Sequence, residues 1–189
     1  MSNKVPDVQL VREFVFAAHT DLGKVQEMLE KHPALLDIPN PDTDETALGA
    51  AAHMGRRQIA EFLLGEGAEI TICAAAMLGR RQEVAEFLTA DPLQANARGA
   101  HGIPLMFHVA LSGDIKLAEL ILENGGGEGI GSALHAAIAV EQVEMVRWLL
   151  GKNIPLDTPN YQGHSPLAVA EARGAVEIVD LLRTAGAES

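Results

Sequence analysis

One cysteine, one tyrosine, one tryptophan and five phenylalanines are all that 189 residues supply of those types. A single thiol, Cys73, excludes an intramolecular disulfide and fits a reducing compartment. Aromatics make up only 4% of the chain, so no thick core of large rings is available. Basic residues are also scarce: 14 Lys and Arg stand against 26 Asp and Glu, leaving a formal charge of −12. That balance argues against nonspecific nucleic-acid or anionic-membrane binding, which requires clustered cations to neutralise phosphate. A basic or mixed-charge partner is attracted instead. No run approaches the roughly 18 uncharged apolar residues of a membrane span. The opening segment MSNKVPDVQLVREFVFAAH is broken by polar and acidic residues, so no signal peptide is expected and the cytoplasm is the predicted location.

What the chain does have is alanine and leucine within a hydrophobic fraction of 48%, a filling suited to closely stacked helices. It also has internal repetition. Aligned on the aliphatic residue that opens each second helical pattern, Val25, Ile59, Val84, Leu117, Met145 and Ile178 fall at spacings of 34, 25, 33, 28 and 33 residues. Periods of this size, each holding two short helical patterns, mark a solenoid whose repeats bury their apolar faces only against one another.

The clearest copy is SPLAVAEARGAVEIVDLLRTAGA at Ser165–Ala187. It resembles the ankyrin repeat, whose usual pattern runs TPLHxAAxxGxxxIVxxLLxxGA. Thr46, Ala47, Leu48, Ala51, Ala52, Gly55, Ile59, Gly67 and Ala68 repeat the match, and Ser132, Ala133, Leu134, His135, Ala137, Met145 and Val146 make a third copy. The resemblance implies an all-α stack of six helix-turn-helix pairs beginning near 8, 46, 71, 103, 132 and 165, forming one domain over 1–189. Pairs one, three and four depart from the pattern. Arg12-Glu13-Phe14-Val15 and Thr71-Ile72-Cys73-Ala74 replace TPLH, and GIPLMFHVALSG is one residue longer than expected.

Connections between pairs alternate in length. The long ones, His32–Glu45, Asp91–Gly102 and Lys152–His164, carry the Pro, Asn, Asp and Gly that turn a chain back on itself. They are predicted to form projecting β-hairpin fingers at alternate junctions. Gly65–Ile70 and Asn124–Gly131 are too short for one. HPALL and DPLQA follow the first and third pairs, which suggests a copied unit of two repeats. Polar ends on the first and last helices predict a monomer with a complete stack.

In the resembled pattern the two positions after AA lie on the concave side of the first helix. Here they would place His53, Met54, Leu78, Leu111 and Val140 on one partner-binding surface, with His19 in the same row. Finger tips add Asp42, His101, Asn160 and Tyr161, since loops on a rigid scaffold concentrate binding. Arg56, Arg57, Arg80 and Arg81 form a candidate anion site. Each pair precedes a second helix, where a cation faces an unfavourable dipole, although Glu61, Glu83 and Glu86 stand ready to compensate internally.

No catalytic residue, metal ligand set or cofactor is expected. None of the seven histidines pairs with another at a spacing such as HxxxH, and no CxxC exists. By the resemblance, His135 takes the TPLH histidine position and holds a turn. GGGEGIGSA lacks the lysine of a phosphate loop and reads as a shortened turn needing glycine's backbone freedom. The predicted function is therefore a non-catalytic scaffold that recognises a protein or peptide on its concave face and fingers. A small-molecule binder or enzyme using a pocket between fingers, with His101, His108 or the arginines as polar contacts, is the alternative.

Overall fold

A computed structural model describes residues 7–187. The first six residues of the opening segment considered above, and 188–189, lie outside that range. Among the described residues twelve α-helices form six antiparallel pairs: α1 (Val8–Ala17) with α2 (Leu22–Lys31), α3 (Ala47–His53) with α4 (Arg57–Gly65), α5 (Ile72–Met77) with α6 (Arg81–Ala90), α7 (Leu105–Ser112) with α8 (Ile115–Glu123), α9 (Ile130–Ala139) with α10 (Val143–Leu150), and α11 (Pro166–Arg173) with α12 (Val176–Thr184). The odd-numbered helices stack in sequence as an inner row.

Local chemistry starts these helices where they start. Thr46, Thr71 and Ser165 accept from backbone N–H groups of Gly49, Ala74 and Ala168 at 3.0, 3.2 and 3.2 Å. Each such cap contributes about 1 kcal/mol. Asp21 and Asp114 do the same for α2 and α8. The inner helices are short and built of small residues because they are packed on several sides; all six residues of α5 are buried. Every residue of the aligned aliphatic set, Val25 to Ile178, is at most 3% exposed, so the repetition read in the sequence is the repetition of the core.

The fingers are smaller than expected. Among the described residues there is no β-hairpin ladder. The first finger is closed by a single antiparallel bridge between Asn40 and Glu45, and the second by one between Arg98 and Pro104. The third is a turn closed by Asn160 N–H donating to His164 at 2.9 Å. Each of the first two long connections also carries a 3-10 turn, Pro33–Leu35 and Pro92–Asn96.

The two-repeat unit has a structural signature. Asp37 Oδ1 accepts the backbone N–H of Glu69 at 3.1 Å, and Asn96 Oδ1 accepts that of Glu128 at 3.0 Å. Both acceptors stand four residues after the proline of HPALL or DPLQA, and both reach a glutamate 32 residues on. The first and second long connections thus each fasten the short connection that follows.

Candidate functional site

The predicted apolar row is only half exposed. Met54 and Val140 are 37% and 38% accessible, whereas Leu78 and Leu111 are buried at 6% and 9%. Curvature is the cause: a Cβ placed on Gly55 would lie 3.4 Å from Leu111 Cδ2 and 3.8 Å from Val140 Cγ1. The second pair therefore meets the fourth and fifth across the narrow third, and Leu78 and Leu111 belong to the core there. They offer no free surface to a partner.

The fingertip residues divide similarly. Tyr161 is 95% exposed. Asn160 uses its side chain to hold the turn, accepting from the backbone of Gln162 and His164 at 2.9 and 3.0 Å. Asp42 is paired with Arg12, which donates through Nε and Nη2 at 2.7 and 3.0 Å. That contact holds the Asp42 carboxyl below its usual value, by the hydrogen bond first.

The four arginines are occupied by the protein itself. Arg56 Nε donates to the carbonyl of His19 at 2.7 Å, and Arg57 Nη1 to that of Leu78 at 3.0 Å. Both carbonyls lie just past the C-terminal end of an inner helix, where a cation is favoured. Arg80 contacts Glu83, and Arg81 pairs with Asp114. The unfavourable dipole read from the sequence is thus answered by neighbouring helix ends and carboxylates, so no external anion is required.

Glycine use in the fourth connection is also structural. Gly125, Gly127 and Gly129 hold φ of 79°, 129° and 67°. Gly126 is required for room: a Cβ there would lie 2.5 Å from the Ala95 carbonyl oxygen.

What the sequence spacing did not reveal is a cluster of His19, Glu45, His53 and His101. Glu45 leaves the base of the first finger and is 3% exposed. His53 Nε2 lies 2.9 Å from Glu45 Oε1, His101 Nε2 lies 3.4 Å from the same oxygen, and His19 Nε2 lies 3.6 Å from Oε2. The rings of His19 and His53 stand 5.2 Å apart, and those of His53 and His101 5.3 Å, each pair edge to face. The His53–Glu45 contact is short but poorly aligned, so Glu45 Oε1 and His53 Nε2 are both buried without a hydrogen-bond partner. Burial alone would raise the Glu45 carboxyl; the facing His53, with His19 and His101 behind it, outweighs that and holds it below its usual value. The signal was present in register rather than in spacing, because AAH at Ala17–His19 and at Ala51–His53 is the same position of successive repeats.

Beside this cluster, in the gap left by the fingerless second junction, a cleft of about 480 Å³ is lined by Glu45, Thr71, Cys73, Arg98 and His108 among others. His108 Nδ1 donates to the Pro104 carbonyl at 3.1 Å, which leaves Nε2 buried and without a partner. Burial pushes His108 down to about 4 and the Cys73 thiol up to about 12. His135, as expected of a turn-holding residue, bonds backbone: its Nε2 lies 2.7 Å from the Thr158 carbonyl.

No helix among the described residues is long and apolar enough to cross a membrane. No curated protein matches the chain. A family model of three ankyrin repeats matches residues 105–189, and a single-repeat ankyrin model matches 43–75. Together they span well over half the sequence, and the stacked helix pairs supply the architecture. The chain belongs to the ankyrin-repeat family, whose repeats generally serve as non-enzymatic protein–protein interaction modules.

Proposed function

We propose that this chain is a monomeric, cytoplasmic, non-catalytic module that recognises a protein or peptide of basic or mixed charge. The observation that carries this reading is Tyr161, 95% exposed on a turn held by Asn160. An aromatic presented on a prearranged loop loses little entropy on binding and makes a good anchor. Met54 and Val140 supply a smaller apolar patch on the concave side, and the charge of −12 supplies a field that steers cationic partners.

The test is binding of the intact chain to basic peptides and to proteins from the source lysate. Tyr161→Ala and a Met54→Ser/Val140→Ser variant, each shown to be folded, are compared with it. Loss of affinity by at least about tenfold is expected for a hot-spot residue, together with an association rate that falls as salt rises. Partners whose affinities ignored all three substitutions would remove the concave and finger surfaces from the proposal.

A second reading rests on the cleft. Its size suits a small ligand, and His108 Nε2 is an unused acceptor within it. A compound that stabilises the intact chain but not a folded His108→Gln variant would favour this reading over the first.

A further inference from the structure

We propose that His19, Glu45, His53 and His101 bind one divalent transition-metal ion, with zinc the best fit. One ligand atom from each residue can be chosen so that all four lie within 4.8 Å of one another. In a tetrahedral zinc site with metal–ligand distances near 2.0–2.1 Å, ligand atoms stand about 3.3 Å apart. The two Nε2 distances to Glu45 Oε1, 2.9 Å from His53 and 3.4 Å from His101, already bracket that separation, and His19 Nε2 stands 3.6 Å from the other carboxylate oxygen.

Chemistry points the same way. His19 Nδ1 donates to the Val15 carbonyl at 3.0 Å, which in the neutral ring leaves the lone pair on Nε2, facing the carboxylate. A backbone acceptor on the far nitrogen is the usual means of orienting a metal-binding imidazole. Glu45 is buried and lacks an aligned hydrogen bond on Oε1, while His53 Nε2 lacks one opposite it. When the imidazoles are neutral, a lone pair directed at the buried carboxylate repels it, and a cation between them removes that repulsion. One metal ion satisfies all four groups together. Imidazole nitrogens with a carboxylate oxygen suit zinc over calcium or magnesium, which prefer oxygen throughout. Four protein ligands complete a tetrahedron, so the site is structural and not one with an open catalytic position. It would tie the first finger and the ends of α1 and α3 to the second finger, which carries His101.

The metal site is separate from Tyr161 and adjoins the cleft only through Glu45. The experiment uses the full chain, free of any affinity tag and stripped with a chelator, titrated calorimetrically with Zn²⁺ and spectroscopically with Co²⁺. One ion per chain, a tetrahedral Co²⁺ absorption pattern and a higher Tm with Zn²⁺ are expected. His101→Asn is the deciding variant, because His101 is 45% exposed and its φ of 56° is one that asparagine accepts. It should weaken Zn²⁺ binding by at least about tenfold, as loss of a ligand must if loss of an outer-shell partner already costs that much. Glu45→Gln and His53→Gln should do the same, and His164→Gln, in the third finger, should leave binding unchanged. Absence of stoichiometric uptake by the stripped chain overturns the proposal. Uptake that is indifferent to His101→Asn also overturns it.

Discussion

His135 Nε2 lies 2.7 Å from the carbonyl oxygen of Thr158, fastening α9 to the third long connection. The ring is 8% exposed and its other nitrogen is buried without a partner. His135→Ala removes a hydrogen bond and strands a carbonyl, at a cost of about 1–3 kcal/mol. Urea denaturation should show a lower midpoint at unchanged slope. A midpoint equal to that of the parent would mean the bond is not made in solution.

Acid should loosen the stack through His108. Its folded value of about 4 lies below the unfolded value near 6.5, because burial disfavours the imidazolium. Between those values the unfolded chain binds a proton that the folded chain does not. The stability contribution is therefore complete above about pH 6.5 and is lost as pH falls towards 4, at up to about 1.4 kcal/mol per unit. His53, which pushes the same way when protonated, and Cys73, which lies with His108 against Gly99, are titratable groups facing it. His108→Gln should flatten this part of the Tm–pH profile; an unchanged slope would assign the acid sensitivity elsewhere.

Gly126→Ala is expected to destabilise by about 1–3 kcal/mol, as overpacking does. The added carbon would lie 2.4 Å from Ile121 Cγ2 and 2.5 Å from the Ala95 carbonyl, and backbone cannot step aside as a flexible side chain can. Gly125 has open space around its Cβ position but a φ of 79°, so Gly125→Asn should be milder. Equal thermal midpoints for the two variants would contradict the close approach.

Cys73 should resist alkylation in the native protein. It is 5% exposed, and burial pushes its thiol up to about 12, so almost no thiolate is present at neutral pH. Mass-detected iodoacetamide labelling should track unfolding in urea. Prompt labelling without denaturant would show that the third pair opens readily.

The stack was legible because each repeat places an aliphatic at the same register, and Val25, Ile59, Val84, Leu117, Met145 and Ile178 are all core. The concave surface was less legible. Leu78 and Leu111 occupy positions that a gently curved array leaves open, but curvature is set by how far the short α5 lets its neighbours approach, which no single repeat encodes. The histidine cluster is not legible along the chain, for the opposite reason. Its members are 34 and 48 residues apart and become neighbours only by stacking, with His101 delivered by a finger. The fingers' size was not legible, because proline and aspartate announce a turn without saying how many ladder bonds the returning chain will make.

An array whose units touch only their neighbours frays from its ends, shedding one repeat at a time. The approach of α3 to α7, and of His101 to Glu45, are contacts that skip over intervening pairs. They act as cross-bracing: loss of α1 and α2 leaves the second to fifth pairs still clasped, and the third cannot melt without releasing both sides. The interior of this protein should therefore come apart in one cooperative step, while the sixth pair, outside the brace, opens first and on its own.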